Sequence, residues 1–143
     1  MGYRFLDDAP PADVGFVASG ATPAACFEAA AEATLAVMLG NPEALQAKVR
    51  HTVRFERERL DVALLSLLEE LVYYKDAEGQ FLRARDVVDT AAKRGWAVQA
   101  VLVGEGIDRS RHRLAGDVKA VTMHRLAVEE TADGWRATVV LDV

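Results

Sequence analysis

Cysteine is almost absent from this sequence. Cys26 is the single cysteine among 143 residues, so an internal disulfide is impossible. One thiolate cannot form a zinc cage, and no H-x-x-x-H pair is present to replace it. The scarcity therefore disfavours both a disulfide scaffold and a zinc protein.

An excess of basic charge and long apolar runs are also missing. The 17 lysines and arginines are outnumbered by 22 aspartates and glutamates, and the formal net charge of −5 is too acidic for bulk electrostatic binding of nucleic acid. No apolar run approaches the roughly 20 residues that a membrane span needs. Residues 1–4 lack the basic-then-apolar pattern of a signal peptide. We expect a cytoplasmic protein without membrane contact, whose association with RNA, if any, is local or indirect.

Linkers and repeats are absent as well. The chain has no Pro/Gly/Ser-rich stretch and no internal repeat, and its composition of 51% hydrophobic and 27% charged residues is that of an ordinary globular protein. We therefore predict a single domain over residues 1–143.

Two segments have the apolar periodicity of helices. Thr22 and Pro23 form an N-cap and first-turn pair, after which apolar residues recur at helical spacing as far as Gly40. A leucine stripe predicts a second helix over residues 60–74, with the polar residues 75–79 as its exit.

The remaining apolar runs are typical of strands. We predict strands over residues 3–6, 14–19, 49–55, 81–88, 96–103, 118–128 and 135–143. Residues 86–93 fit either a helical turn or one arm of a hairpin, and residues 104–106 are interpreted as a glycine-bent loop. Two helices with mostly sequential strands predict an α+β fold, a single layered domain in which a mixed or antiparallel sheet packs with two main helices.

Carboxylates near the two ends of the chain form a candidate cation site. Asp142 lies beside the α-carboxylate of Val143, if Val143 is the native C-terminus. If the last strand pairs near the strand of Asp13, these groups supply the hard oxygen ligands that Ca²⁺ and Mg²⁺ prefer. The alternative, solvated acids at strand ends, stays open.

Histidines and a basic run are the other candidates for chemistry. Lys119 and His124 lie five residues apart on one predicted strand, hence on opposite faces. His124 is either a proton carrier or metal ligand or a hydrogen-bonded structural histidine, whereas His51 and His112 look exposed. The basic residues within 109–113 could contact phosphate or an acidic partner, although such mixed-charge loops are usually solvated faces.

Several of these segments, taken together and in order, resemble the archease family over essentially the whole chain. The matching segments are Y-R-F-L-D at residues 3–7, A-D-V-G at 12–15, the leucine helix within 64–71, G-E at 104–105 with Ile107, Asp108 and His112, K-A-V-T at 119–122 with His124, and V-L-D-V at 140–143. Archeases activate the GTP-dependent, RtcB-type RNA ligase of tRNA splicing and RNA repair. The resemblance therefore implies a protein cofactor of that ligase, which promotes ligase guanylylation and multiple turnover, rather than an enzyme.

The resemblance also implies a site. In archeases the residues that correspond to Asp13, Asp142 and Val143 are associated with a divalent metal, usually described as calcium, with magnesium as the alternative. Lys119 and His124 match family motif positions and are carried as candidate supporting or partner-contact residues.

Two departures from the family pattern bear on function. The family segment L-D-H-T-A-D-V-G corresponds here to residues 6–15, which are longer and lack the histidine; Asp7 and Asp8 lie in this segment, and Asp8 offers an alternative oxygen ligand. Met123 stands where the family commonly has tyrosine. Two other functions remain as alternatives: a metal-dependent phosphoester or nucleotide hydrolase that uses Asp13, Asp142 and His124, and a chaperone or interaction module with an exposed apolar patch.

Overall fold

The computed structural model describes residues 2–143 as two antiparallel sheets and two long helices. The elements in chain order are β1 (Gly2–Phe5), β2 (Asp13–Gly20), α1 (Pro23–Met38), a short 3-10 helix (Pro42–Ala44), β3 (Val49–Arg57), α2 (Leu60–Glu78), β4 (Gln80–Ala91), β5 (Trp96–Gly106), β6 (Ala120–Val121), β7 (Ala127–Thr131) and β8 (Gly134–Asp142). The predicted α+β class is confirmed, with two antiparallel sheets where one sheet was expected.

Helix α1 begins where its capping residues predict. The Thr22 hydroxyl accepts a hydrogen bond from the Ala25 N–H at 3.1 Å, and the Asp89 carboxylate of β4 accepts another from the Ala24 N–H at 2.9 Å. The alanines of α1 are buried and let the helix approach β2 and β4 closely.

Helix α2 is longer than predicted. Residues 75–78, expected as a polar exit, continue the helix to Glu78, and Gly79 ends it in the left-handed conformation at φ 62°. The Lys75 ammonium, in the last turn, is held by the carboxylates of Asp76 and Asp117 and by the Val118 carbonyl. These contacts with a distant segment favour one more helical turn, and local polarity could not reveal them.

The first sheet has the order β1-β2-β8-β6, with β7 also paired to β8. Phe16 and Ala18 of β2 and Val139 of β8 are buried in the core on the side of α1. Because side chains alternate along a strand, the intervening residues of β2 and β8 face the other side of this sheet.

The strand predicted over residues 118–128 is wrong as a single element. It is divided into β6 and β7 by a turn in which the Leu126 N–H donates to the Met123 carbonyl at 3.2 Å and the His124 N–H donates to the Thr122 hydroxyl at 3.2 Å. Arg125 adopts a positive φ of 58° there. Met123 and Leu126 keep apolar residues within the turn, so periodicity alone could not locate the break.

The second sheet has the order β3-β5-β4. A bulge between Arg85 and Val88, with Asp86 at φ 51°, interrupts β4, which continues to Ala91 and so settles the ambiguous segment as strand. Strand β5 extends to Gly106, which corrects the glycine-bent loop expected at residues 104–106. Gly104 is needed there because a Cβ would lie 1.9 Å from the Phe81 carbonyl oxygen.

The core joins both helices to both sheets, with large side chains such as Phe16, Phe27, Leu68 and Leu102 fully buried. No helix within residues 2–143 is long and apolar enough to cross a membrane.

Candidate functional site

Asp13 and Asp142 lie directly opposite each other where β2 and β8 pair. The Val143 N–H donates to the Ala12 carbonyl at 3.1 Å, so the next pair along the ladder is hydrogen-bonded. Hydrogen-bonded and non-hydrogen-bonded pairs alternate in an antiparallel ladder, so Asp13 and Asp142 form a non-hydrogen-bonded pair, the type in which side chains stand closer together. Both lie on the face of the sheet away from α1, and both are half-buried.

The two carboxylates have no counter-charge of their own. Among residues 2–143, neither side chain takes part in an ion pair or a hydrogen bond. Like charges that face each other across two strands destabilise the pairing. A bound cation would remove that repulsion, and carboxylate oxygens are the ligands that Ca²⁺ and Mg²⁺ prefer.

The acid pair does not complete a metal site unaided. Within the described part of the chain, no three His, Cys, Asp or Glu side chains come close enough to hold an ion together. A backbone oxygen of Val143, the residue fixed beside the pair, is available as a third donor. Mg²⁺ in proteins commonly takes one or two carboxylates and fills its other positions with water and substrate phosphates, and Ca²⁺ takes six to eight oxygens. The donor set fits a hard divalent cation provided that water or oxygens of another molecule fill its remaining positions.

Among the described residues, Lys119 is the one other candidate that forms a hydrogen bond with a residue of the pair. The side chain of Lys119 is exposed. The backbone N–H of Lys119 donates to the Asp142 carbonyl at 2.8 Å, which fixes Lys119 beside the site. Asp8 is exposed and its carboxylate lies 3.3 Å from Arg125 of the β6–β7 turn. Asp7 is also exposed.

His124 is placed differently from the prediction. It lies in the exposed turn after β6 rather than on a strand with Lys119, so the period-two relation between the two residues does not apply. Within residues 2–143, the His124 imidazole forms no hydrogen bond with either acid of the pair.

The structure contains a buried polar cluster that sequence reasoning missed. Glu105 on β5 is 2% exposed and His112 is 4% exposed, which corrects the exposed position expected for His112. The Glu105 carboxylate accepts hydrogen bonds from the Gln46 N–H at 2.7 Å and the His112 Nε2–H at 3.1 Å, and it pairs with the Arg111 guanidinium. His51 is half-buried as well and stacks on the Tyr74 ring with centroids 4.1 Å apart.

The hydrogen bonds of this cluster define the tautomer of His112 and lower the pKa of Glu105. The Asp108 N–H donates to His112 Nδ1 at 2.9 Å, so the ring proton lies on Nε2 and points to Glu105. Burial alone would raise the pKa of Glu105, but hydrogen bonds from the Gln46 N–H, Arg111 and His112, with the charge of Arg111, lower that pKa to about 2. A lone acid between two glycines, followed by Arg and His six and seven residues later, was the only sequence signal.

Two arginines of the basic run at residues 109–113 are bonded to other parts of the protein. Arg111 pairs with Glu105 and with Asp108, and the Arg113 guanidinium donates to the Gly40 carbonyl at 2.6 Å. The run is therefore not the free positive surface that its spacing indicated.

Comparison with known proteins gives consistent matches over the whole chain. The model of the archease protein family (MTH1598/TM1083) matches residues 3–143. Similar curated proteins include the archease of Pyrococcus abyssi, 33% identical over 92% of this chain and 93% of that protein, and the archease of Methanosarcina mazei, 30% identical over 99% and 95%.

Two solved structures are similar as well. The solution structure of Methanobacterium thermoautotrophicum protein 1598 has a TM-score of 0.85 and 29% identity and covers 99% of both chains. A crystal structure from Thermotoga maritima, described as an archease and possible chaperone, has a TM-score of 0.60 and 15% identity over 94% of this chain and 93% of that one. At that identity, the second likeness concerns the fold alone.

Proposed function

The chain belongs to the archease family, and from this membership we propose that it activates a GTP-dependent, RtcB-type RNA ligase of tRNA splicing and RNA repair. The activator promotes guanylylation of the ligase and restores its multiple turnover. The observation that carries the proposal is the facing pair of Asp13 and Asp142, which has no counter-charge among residues 2–143.

The position of the pair supports an accessory role. Asp13 and Asp142 lie half-buried at the ends of their strands, on the sheet face away from α1. Side chains in such a position reach into a partner's site more readily than they enclose a small substrate. The two acids, with a backbone oxygen of Val143, would hold a Ca²⁺ or Mg²⁺ ion. That ion supplies neutralisation of nucleotide phosphate charge when it is bound.

An exposed apolar side chain near the pair supports contact with a protein. Met123 is 67% exposed in the turn after β6, and Thr122 beside it donates its N–H to the carbonyl of Val140, two residues before Asp142. Methionine and aromatic residues are enriched in protein–protein interfaces.

The test is GTP-dependent guanylylation of the ligase from the same organism. The protein is added intact, as Asp13→Asn, as Asp142→Asn, or as the control Asp133→Asn, which removes an exposed acid from the hairpin at the other end of β8. We expect the intact protein and the control to accelerate guanylylation and the two site variants to lose that effect. Full acceleration by both site variants would exclude the acid pair from the mechanism.

Two results would distinguish the alternative functions from ligase activation. Hydrolysis of GTP by this protein without ligase would favour the hydrolase hypothesis with His124, for which the structure gives no supporting contact. A chaperone function, the description that the Thermotoga maritima protein carries, would survive Asp13→Asn.

A further inference from the structure

The outer face of the second sheet carries a group of arginines that the sequence does not display together. The register places Arg50 of β3 and Arg83 of β4 on either side of Val103 in β5, and it places Arg85 beside Val101 and Arg54 beside Gln99. Val98, Ala100 and Leu102 of β5 are buried in the core, so the alternate residues of β5 and their neighbours face outward. We call the four residues Arg50, Arg54, Arg83 and Arg85 the arginine face.

The arginine face is positively charged although the protein is acidic. The outward positions of the three strands hold these four arginines and two acids, Glu56 and the buried Glu105, for a formal charge of +2 against −5 for the whole chain. Arg50 and Arg85 are exposed, and neither forms an ion pair with any residue in the range 2–143.

The remaining two arginines are paired to different extents. Arg54 lies 3.6 Å from Glu56, with both side chains more than half exposed, so this pair contributes little. Arg83 donates to Glu32 of α1 at 2.7 Å and is held at the edge of the face. Three guanidinium groups are therefore available to an external anion.

The geometry fits a chain of anions. Neighbouring strands lie roughly 4.8 Å apart, so the arginines of β3 and β4 form two rows about 10 Å apart across β5. Of the three available arginines, Arg50 and Arg54 are four residues apart on β3, roughly 13 Å, which is about two steps between successive phosphates of a nucleic-acid strand. Arg85 lies across β5 from Thr52, between these two.

The composition of the arginine face favours phosphate over protein. Between the arginines the three strands present valine, alanine, threonine and glutamine, and no aromatic side chain. Protein interfaces are anchored by buried aromatic residues, whereas nucleic-acid interfaces are more polar and much more positively charged. The face has no aromatic platform for the bases, so its main contact is with the backbone and is independent of sequence.

We propose that the arginine face binds the phosphate backbone of an RNA strand. The phosphate contact follows from the sheet itself; the choice of RNA over DNA rests on the proposed function.

The experiment measures binding of fluorescein-labelled oligouridine of about 20 nucleotides by anisotropy, without ligase, over a series of salt concentrations. The test variant is Arg50→Glu/Arg85→Glu. The control is Arg94→Glu/Arg109→Glu, which makes the same change of charge at two exposed arginines away from the face, in the β4–β5 turn and in the segment after β5. A DNA strand of the same length is measured in parallel.

We expect the test variant to raise the Kd for RNA at least about tenfold and the control to change it less than about twofold. Each phosphate contact on a single strand contributes roughly −0.7 to the slope of log K against log salt, so the slope should flatten by about 1.4 when two contacts are lost. If charge reversal unfolds the protein, Arg50→Gln/Arg85→Gln tests the same contacts.

Three results would overturn the inference: equal binding by the test variant and the intact protein, equal weakening by the control, or binding of DNA with none of RNA. Loss of ligase binding by the test variant with unchanged RNA binding would instead assign the face to an acidic protein surface. Because the assay contains no ligase, RNA binding that persists while ligase activation fails would reject the proposed function and keep the phosphate contact.

Discussion

Replacing Glu105 with glutamine tests the buried cluster that holds the segment after β5 in place. In the native protein one carboxylate oxygen accepts from the Gln46 N–H and the His112 Nε2–H, and the other pairs with Arg111. Glutamine keeps one oxygen and turns the other into an NH₂ group, which sets a donor against a donor in a site that is 2% exposed. The Arg111 guanidinium also loses its buried anion.

The size of the effect follows from these contacts. The pKa of Glu105 falls from 4.5 to about 2 in the folded protein. Each unit corresponds to about 1.4 kcal/mol, so the interactions favour the charged form by roughly 3 kcal/mol. Hydrogen bonds to charged groups contribute about 1.5 to 3 kcal/mol by mutation. We therefore expect Glu105→Gln to lower the free energy of unfolding by about 2 to 3 kcal/mol, or the Tm by roughly 6 to 12 °C.

Urea denaturation at pH 7 measures this cost. The matched control is Glu56→Gln, whose side chain is 59% exposed beside Arg54 and whose loss should change stability by less than about 0.5 kcal/mol. A cost below about 1 kcal/mol for Glu105→Gln would refute the account of the cluster.

The lowered pKa of Glu105 also predicts how the effect of Glu105→Gln on the unfolding free energy depends on pH. Because the folded pKa of Glu105 lies below its unfolded value of 4.5, its stabilisation is complete above that value and is lost as pH falls towards about 2. The difference in unfolding free energy between the native protein and Glu105→Gln should therefore shrink as the pH is lowered from 6 to 3. A difference that stays constant over this range would contradict the assignment.

Three other outcomes are expected. Gly104→Ala should destabilise the protein by several kcal/mol or prevent folding, because its Cβ would lie 1.9 Å from the Phe81 carbonyl oxygen. Gly106→Ala should be tolerated, because its Cβ would meet only one atom, at 3.9 Å, and thermal unfolding compares the two variants. Asp13→Asn should leave the Tm unchanged or raise it slightly by removing like-charge repulsion, and it should abolish any rise of Tm that Ca²⁺ gives the native protein. Met123→Ser should weaken binding to the ligase about fivefold in calorimetry without changing the Tm, since Met123 is 67% exposed.

Elements with local signals were predictable. The Thr22–Pro23 pair marks the start of α1, and its hydroxyl bond to the Ala25 N–H is the interaction that such a pair implies. Strand β3 was visible from its alternation of half-buried and exposed residues, since it is half covered by α2. In both cases the signal lies in the local sequence of the element itself.

Features that depend on distant contacts were not predictable. The last turn of α2 is held by Asp117, and the burial of Glu105 depends on Gln46 and Arg111. The arginine face exists only because three strands separated in sequence pair in one register. Charge patterning along the chain pointed instead to residues 109–113, where Arg111 is neutralised by Glu105 and Asp108.

The prediction of the candidate site depended on which strands are neighbours in the sheet. Asp13 and Asp142 were expected to converge if the last strand pairs near the strand of Asp13, and the structure pairs β2 with β8 directly. Sequence periodicity fixes the face on which each acid lies along its own strand, but it does not specify which strands are neighbours. The use of this pair as a metal and ligase site remains the proposal to be tested.

The measurement that tests the proposal most directly counts RNA molecules joined per molecule of ligase when RNA and GTP are in excess. With the intact protein or Asp133→Asn present, we expect the ligase to complete many rounds of joining. With Asp142→Asn, joining should stop after a single round per ligase. Equal joining with Asp142→Asn and the intact protein would show that the facing carboxylates have no part in ligase activation.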